Sequence, residues 1–155
     1  MNLKTEELET YEKTIFKIFE FANQYYTDVI FLDCKTPKEV FEIVKNLDYK
    51  ADPKGIEFLS RPLFSIFEKN LPRDCDDKTL IICCYAKLKG IPYKIAVTGR
   101  SKYPHHVFPI LCLNNSWVIF DATYENSEIG KFIFPPVFFK IFDEKDLIKF
   151  KHNII

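Results

Sequence analysis

No apolar run in this chain approaches the ~20 residues that a membrane-spanning helix needs. The longest, residues 80–86 counting Cys and Tyr, is a third of that. The opening Met1-Asn2-Leu3-Lys4-Thr5-Glu6-Glu7 lacks the basic start and apolar core of a signal peptide. The expected place is the cytoplasm, with no membrane partner. Net charge is also missing: Lys+Arg and Asp+Glu stand at 22 each. No overall field draws the chain to nucleic acid, and none is expected as a partner. There are only 4 Gly, so few very tight turns are expected, and there is no internal repeat, Gly/Ser linker or low-complexity tract. No CxxC pair, Cys/His zinc knuckle or Asp-rich calcium loop is present, so no metal or cofactor is expected. The 5 cysteines (34, 75, 83, 84 and 112) are an odd number without framework spacing and read as free thiols of a reducing compartment.

What is present is globular. The chain has 155 residues, 47% hydrophobic and 28% charged, with 16 Phe to fill a core. One domain over 1–155 is expected, burying roughly 70% of its unfolded-chain surface. Leu8, Tyr11, Ile15, Ile18, Phe19, Ala22 and Tyr26 recur at threes and fours and predict a helix over 5–26. Thr36-Pro37, as cap and first position, predicts a second helix with Val40, Phe41, Val44 and Leu47 on its apolar face. Asp52-Pro53-Lys54-Gly55 reads as a turn, and a short helix is expected over 62–69.

The helix with the clearest ends covers 76–89. Asp74 is its candidate N-cap, Asp76 and Asp77 suit the dipole of the first turn, and Gly90-Ile91-Pro92 stops it. Beyond Pro92 the period changes from about 3.6 to 2. Strands are predicted over 93–98, 107–113 and 116–122, with another around 137–142. Helices followed by strands imply an α+β fold with an antiparallel sheet packed on the helices.

The chemistry concentrates on Arg73-Asp74-Cys75-Asp76-Asp77-Lys78, then His105-His106, then Asp121 beyond Trp117. A thiol attacks carbonyls well as the thiolate, and its pKa falls at a helix N-terminus or beside an imidazolium. Cys75 is placed for both effects, while the adjacent acids oppose the first. A hairpin turn at Asn114-Asn115 pairs Leu113 with Ser116 and Phe108 with Asp121 if its loop has two or four residues. His106 then becomes the diagonal neighbour of Asp121, with roughly 7 Å between Cα atoms. A three-residue loop exchanges it for His105. On this reading Cys75 is the nucleophile, His106 its base and later the acid, and Asp121 the group that fixes the imidazole. The plainer reading makes them a packed cysteine, a histidine satisfied by a carbonyl and a strand-end cap. A third groups Cys75, Cys84, His106 and Cys112 around zinc.

Four ordered blocks carry a resemblance: Arg73-Asp74-Cys75-Asp76-Asp77-Lys78, Leu88-Lys89-Gly90-Ile91-Pro92, His106-Val107-Phe108 and Trp117-Val118-Ile119-Phe120-Asp121-Ala122-Thr123. Together they resemble the transglutaminase-like superfamily, closest to its small bacterial and phage-associated members, which read GDCDD, LGIP, H-V-Y/F and W-x-x-x-D-P-T. The resemblance runs over about residues 55–123, the implied catalytic core. Residues 1–50 form a helical N-terminal part, and 124–155 a C-terminal cover. It implies a papain-like α+β core with the cysteine helix on an antiparallel sheet. It also implies that Cys75, His106 and Asp121 are the triad of an acyltransferase or hydrolase acting on a protein or peptide amide or isopeptide bond. Ala122 replaces the family's usual proline. Arg73 stands where relatives carry glycine, and would crowd the thiol or add a cation on the substrate side. Ser60 stands where phage-type relatives often carry the glutamine that donates to the oxyanion. The alternative is a catalytically silent relative, a binding or phage-assembly protein of prophage origin.

The remaining residues are expected to be structural. Cys83 and Cys84 read as core, Cys112 as a strand packing residue, and Trp117 as packed beside the site. The aromatic stretch 132–139 is expected to be buried rather than presented to a partner.

Overall fold

The computed structural model describes residues 2–4, 11–52, 56–68 and 70–154. The start of the first predicted helix, including Leu8, and the center of the predicted 52–55 turn lie outside them. The elements in chain order are β1 (Asn2–Lys4), α1 (Tyr11–Tyr25), a 3-10 turn (Tyr26–Leu32), α2 (Pro37–Lys45), β2 (Ile56–Phe58), α3 (Pro62–Phe67), α4 (Cys75–Lys89), β3 (Tyr93–Gly99), β4 (His106–Leu113), β5 (Ser116–Ile119), β6 (Phe138–Phe142) and α5 (Glu144–Ile154). The fold is α+β. Four strands form an antiparallel sheet in the order β5-β4-β3-β6, and β1 and β2 form a separate two-stranded pair.

The organizing element is α4, which is buried continuously from Asp76 to Ala86. A helix apolar all round must be enclosed on every side. Here α1, α2, the 3-10 turn and the face of the sheet bearing Val97, Val107 and Leu111 enclose it. Ile15, Ile18, Phe19 and Ala22 form the buried stripe of α1, and Val40, Phe41 and Val44 that of α2. Thr36 caps α2 as predicted, its hydroxyl accepting from the Glu39 N–H at 3.3 Å.

The start of α4 is held by a reciprocal capping box. The Asp74 carboxylate accepts from the helix N–H groups, including Asp76 at 3.1 Å, and Asp77 accepts from the Asp74 N–H at 3.1 Å. The other Asp77 oxygen accepts from the Ser60 N–H at 3.2 Å, which ties the incoming chain to the helix. At the far end Gly90 takes a left-handed conformation, φ 70, as the predicted stop requires.

The hairpin between β4 and β5 has a two-residue loop. Asn114 and Asn115 both take positive φ, 52 and 65, and Leu113 pairs with Ser116. β5 is shorter than predicted, ending at Ile119, although the Phe120 N–H still bonds the Pro109 carbonyl at 3.0 Å. The sequence reading missed β1, β2 and α5. The stretch 132–139 is also only partly covered: Ile133, Phe134 and Phe138 are half-buried, whereas Val137 stays 71% exposed. Its Phe132 packs edge-on against Phe108, over the sheet face opposite α4. Among the described residues no helix is long and apolar enough to cross a membrane.

Candidate functional site

Cys75 is the first residue of α4, and the Asp74 cap fixes where it falls. His106 is the first residue of β4, and Asp121 lies two residues beyond β5. The two-residue hairpin sets the register that brings the last two together. His106 Nε2 and Asp121 Oδ2 are 2.6 Å apart, both residues buried. Asp121 Oδ1 accepts from the Thr123 N–H at 3.1 Å and from the Thr123 hydroxyl, so the carboxylate cannot rotate freely. With Nε2 committed to Asp121, Nδ1 is the ring nitrogen left for other work.

Cys75 and His106 line one cleft of about 530 Å³ together with Tyr11, Thr14, Tyr49 and Tyr103. Cys75 is half-buried there. α4 docks on β4 at Val107, where the Thr79 hydroxyl donates to the Val107 carbonyl at 3.4 Å. The Cys75 thiol donates to Asp76 Oδ1 at 3.7 Å.

The electrostatics decide between two opposed expectations. Helix position was expected to lower the Cys75 pKa and the adjacent acids to raise it, and the thiol is pushed well above its ordinary value. Burial is the largest cause, followed by the charges of Asp76 and Asp74, and the Val107 hydrogen bond offsets only part of this. A largely buried thiol flanked by two carboxylates is protonated at neutral pH unless a base takes its proton.

Two tyrosines flank the pair. The Tyr124 ring stacks on the His106 ring, with centroids 6.2 Å apart and planes at 18°. The Tyr49 ring lies 5.3 Å from that of Tyr124. Burial holds both phenols above their usual range, and the nearby Cys75 adds to this. Neither tyrosine was singled out in the sequence, because an aromatic in a loop carries no periodic signal.

Arg73 is not a cation on the substrate side. It is buried, and its guanidinium donates to three backbone carbonyls: Ser65 at 2.6 Å, Asp48 at 3.0 Å and Glu68 at 3.0 Å. It ties the segment before α4 to the end of α3 and to the loop after α2. Lys78, also buried, donates to the carbonyls of Leu47 and Thr123, each at 2.8 Å. It links the helix that carries Cys75 to the loop that carries Asp121. Burial and the Arg73 charge lower its pKa to about 8.

His105, the other histidine candidate, is exposed and not on Asp121; its Nε2 accepts from the Arg100 N–H at 2.9 Å. Trp117 does not line the cleft and carries Lys94 4.5 Å above its ring. Ser60 is buried, with its N–H used on Asp77. The zinc grouping is not assembled, since Cys75 and Cys84 lie nine residues apart in one helix, roughly 13 Å of rise. The one acidic cluster among the described residues, Asp52, Asp74 and Asp77, contains both carboxylates of the helix cap. No family model, curated protein or solved structure matches the chain.

Proposed function

We propose that this chain is a transglutaminase-like cysteine acyltransferase or hydrolase with a papain-like core, acting on an amide or isopeptide bond of a protein or peptide. The observation that carries this reading is the buried His106–Asp121 pair, whose His106 lines the same cleft as Cys75. His106 Nδ1 takes the Cys75 proton as sulfur attacks the carbonyl carbon, so the thiolate forms only as the imidazolium forms. Asp121 holds the tautomer and stabilizes that imidazolium. The C–N bond then breaks, nitrogen keeps the electron pair and His106 returns the proton to the leaving amine. Water or a second amine resolves the thioester, again with His106 as base. The Cys75 N–H, at the first position of α4, is the first candidate donor to the oxyanion.

The coupled proton transfer answers the raised thiol pKa. This mechanism requires His106 to reach the thiol during the attack, not a resting ion pair. The same raised pKa favors the second reading, a silent binding or phage-assembly relative. Mass spectrometry after incubation with glutamine-containing peptides separates the two. The catalytic reading predicts a Cys75-linked acyl adduct with release of ammonia or amine; a protein that forms none and shows only ordinary thiol chemistry is the silent relative.

A further inference from the structure

A second cavity of about 310 Å³ adjoins the cleft, lined by Arg100, His105, His106, Tyr124, Ile133 and Phe134. It touches His106 but not Cys75. Arg100 is its only lining residue with a fixed charge. The guanidinium stands 4.8 Å over the Phe134 ring, whose centroid lies 5.8 Å from that of His106. Among the described residues no carboxylate pairs with Arg100. Its place is built rather than incidental. A Cβ on Gly99 would lie 1.9 Å from the Tyr103 carbonyl oxygen, so the 99–103 loop closes only around glycine. His105 Nε2 then anchors the Arg100 N–H, and the Phe134 ring packs on both histidines.

We propose that this cavity is a carboxylate subsite for the amine half of the substrate, an inference that rests on the amide-cleaving reading above. In that reaction His106 protonates the departing nitrogen, so the nitrogen's substituent lies against His106. The second cavity offers room there that the thiol does not share. A planar guanidinium over an aromatic wall suits a carboxylate, which it can bind through two parallel N–H donors. One cation neutralizes one carboxylate, whereas a phosphate dianion calls for more. The preferred substrates are therefore amides whose leaving amine is an amino acid or another carboxylate-bearing amine.

The test is binding of glycylglycine against glycylglycinamide, followed through the ring resonances of His106, Tyr124 and Phe134 in NMR titrations at low salt. Glycylglycine should shift these rings saturably and bind about five- to tenfold more tightly than the amide. Arg100→Gln should erase that preference, and Arg100→Lys should keep part of it. Arg100 is exposed, so neither change disturbs the core. The subsite is overturned if the amide binds equally well, if Arg100→Gln keeps the preference, or if glycylglycine shifts nothing up to about 100 mM. Binding does not use the thiol, so the titration is repeated with Cys75→Ala. An unreactive Cys75 with intact carboxylate preference defeats the catalytic reading alone, and a reactive Cys75 without the preference defeats the subsite alone.

Discussion

Cys75 and the Cys83–Cys84 pair share one helix, and removal from water raises the pKa of all three thiols. Their exposure differs. Cys83 and Cys84 have no exposed surface and belong to the hydrophobic core. Cys75, two turns earlier, is half-buried and lines a cleft that His106 also lines. A high thiol pKa by itself therefore says nothing about function. What separates the helix start from the helix middle is an open cleft shared with an imidazole that a carboxylate holds.

The strongest way to break that contrast is to remove its reacting groups. Cys75→Ala or His106→Ala should abolish thioester formation on glutamine peptides, a loss of at least about 10³-fold in single-turnover rate, while Cys83→Ala and Cys84→Ala leave that chemistry in place. Asp121→Asn keeps a hydrogen-bonding shape but favors the wrong tautomer. It should cost about 10²-fold or more in the same assay, with the loss concentrated in turnover rather than in substrate binding.

Arg73→Ala tests how far the helix start depends on its scaffold. Three backbone carbonyls, that of buried Ser65 among them, lose their donor, and urea denaturation should show a loss of about 2–4 kcal/mol. Asp76→Asn removes a charge that raises the Cys75 thiol and should speed its alkylation at pH 7 by up to about tenfold without changing the protection of Cys83 and Cys84. Asp77, buried in the cap, has its pKa pushed up to about 7 by desolvation. Between about pH 4 and 7 the folded state holds a proton there that the unfolded state has released. This group's contribution is thus complete below pH 4 and lost as pH rises through 7. The unfolding free energy should fall across that window by up to about 1.4 kcal/mol per pH unit, and Asp77→Asn should flatten the slope.

Much of this architecture was legible because local signals agreed with one another. The Thr36-Pro37 start, the Asp74 cap, the Gly90 stop and the Asn114-Asn115 turn each named a boundary, and the two-residue length of that turn decides which histidine meets Asp121. Asp143-Glu144-Lys145-Asp146 was an overlooked signal. Asp143 accepts from the Lys145 N–H while Asp146 accepts from the Asp143 N–H, a capping box that starts α5. The roles of Arg73 and Lys78 were not legible, because nothing local tells a buried cation on distant carbonyls from a solvated one. The largest influence on the Cys75 pKa was hidden for a related reason. Helix position and flanking acids are visible in a sequence, and the depth of burial that leads them is not.

The most direct test of the Cys75–His106–Asp121 assembly is the pH dependence of Cys75 alkylation by iodoacetamide, resolved by peptide mass spectrometry, in the wild type and in His106→Ala. If His106 takes the thiol proton, the wild type should alkylate at neutral pH, and removing the imidazole should leave a single rise above about pH 9. Superimposable profiles for the two proteins would contradict the account.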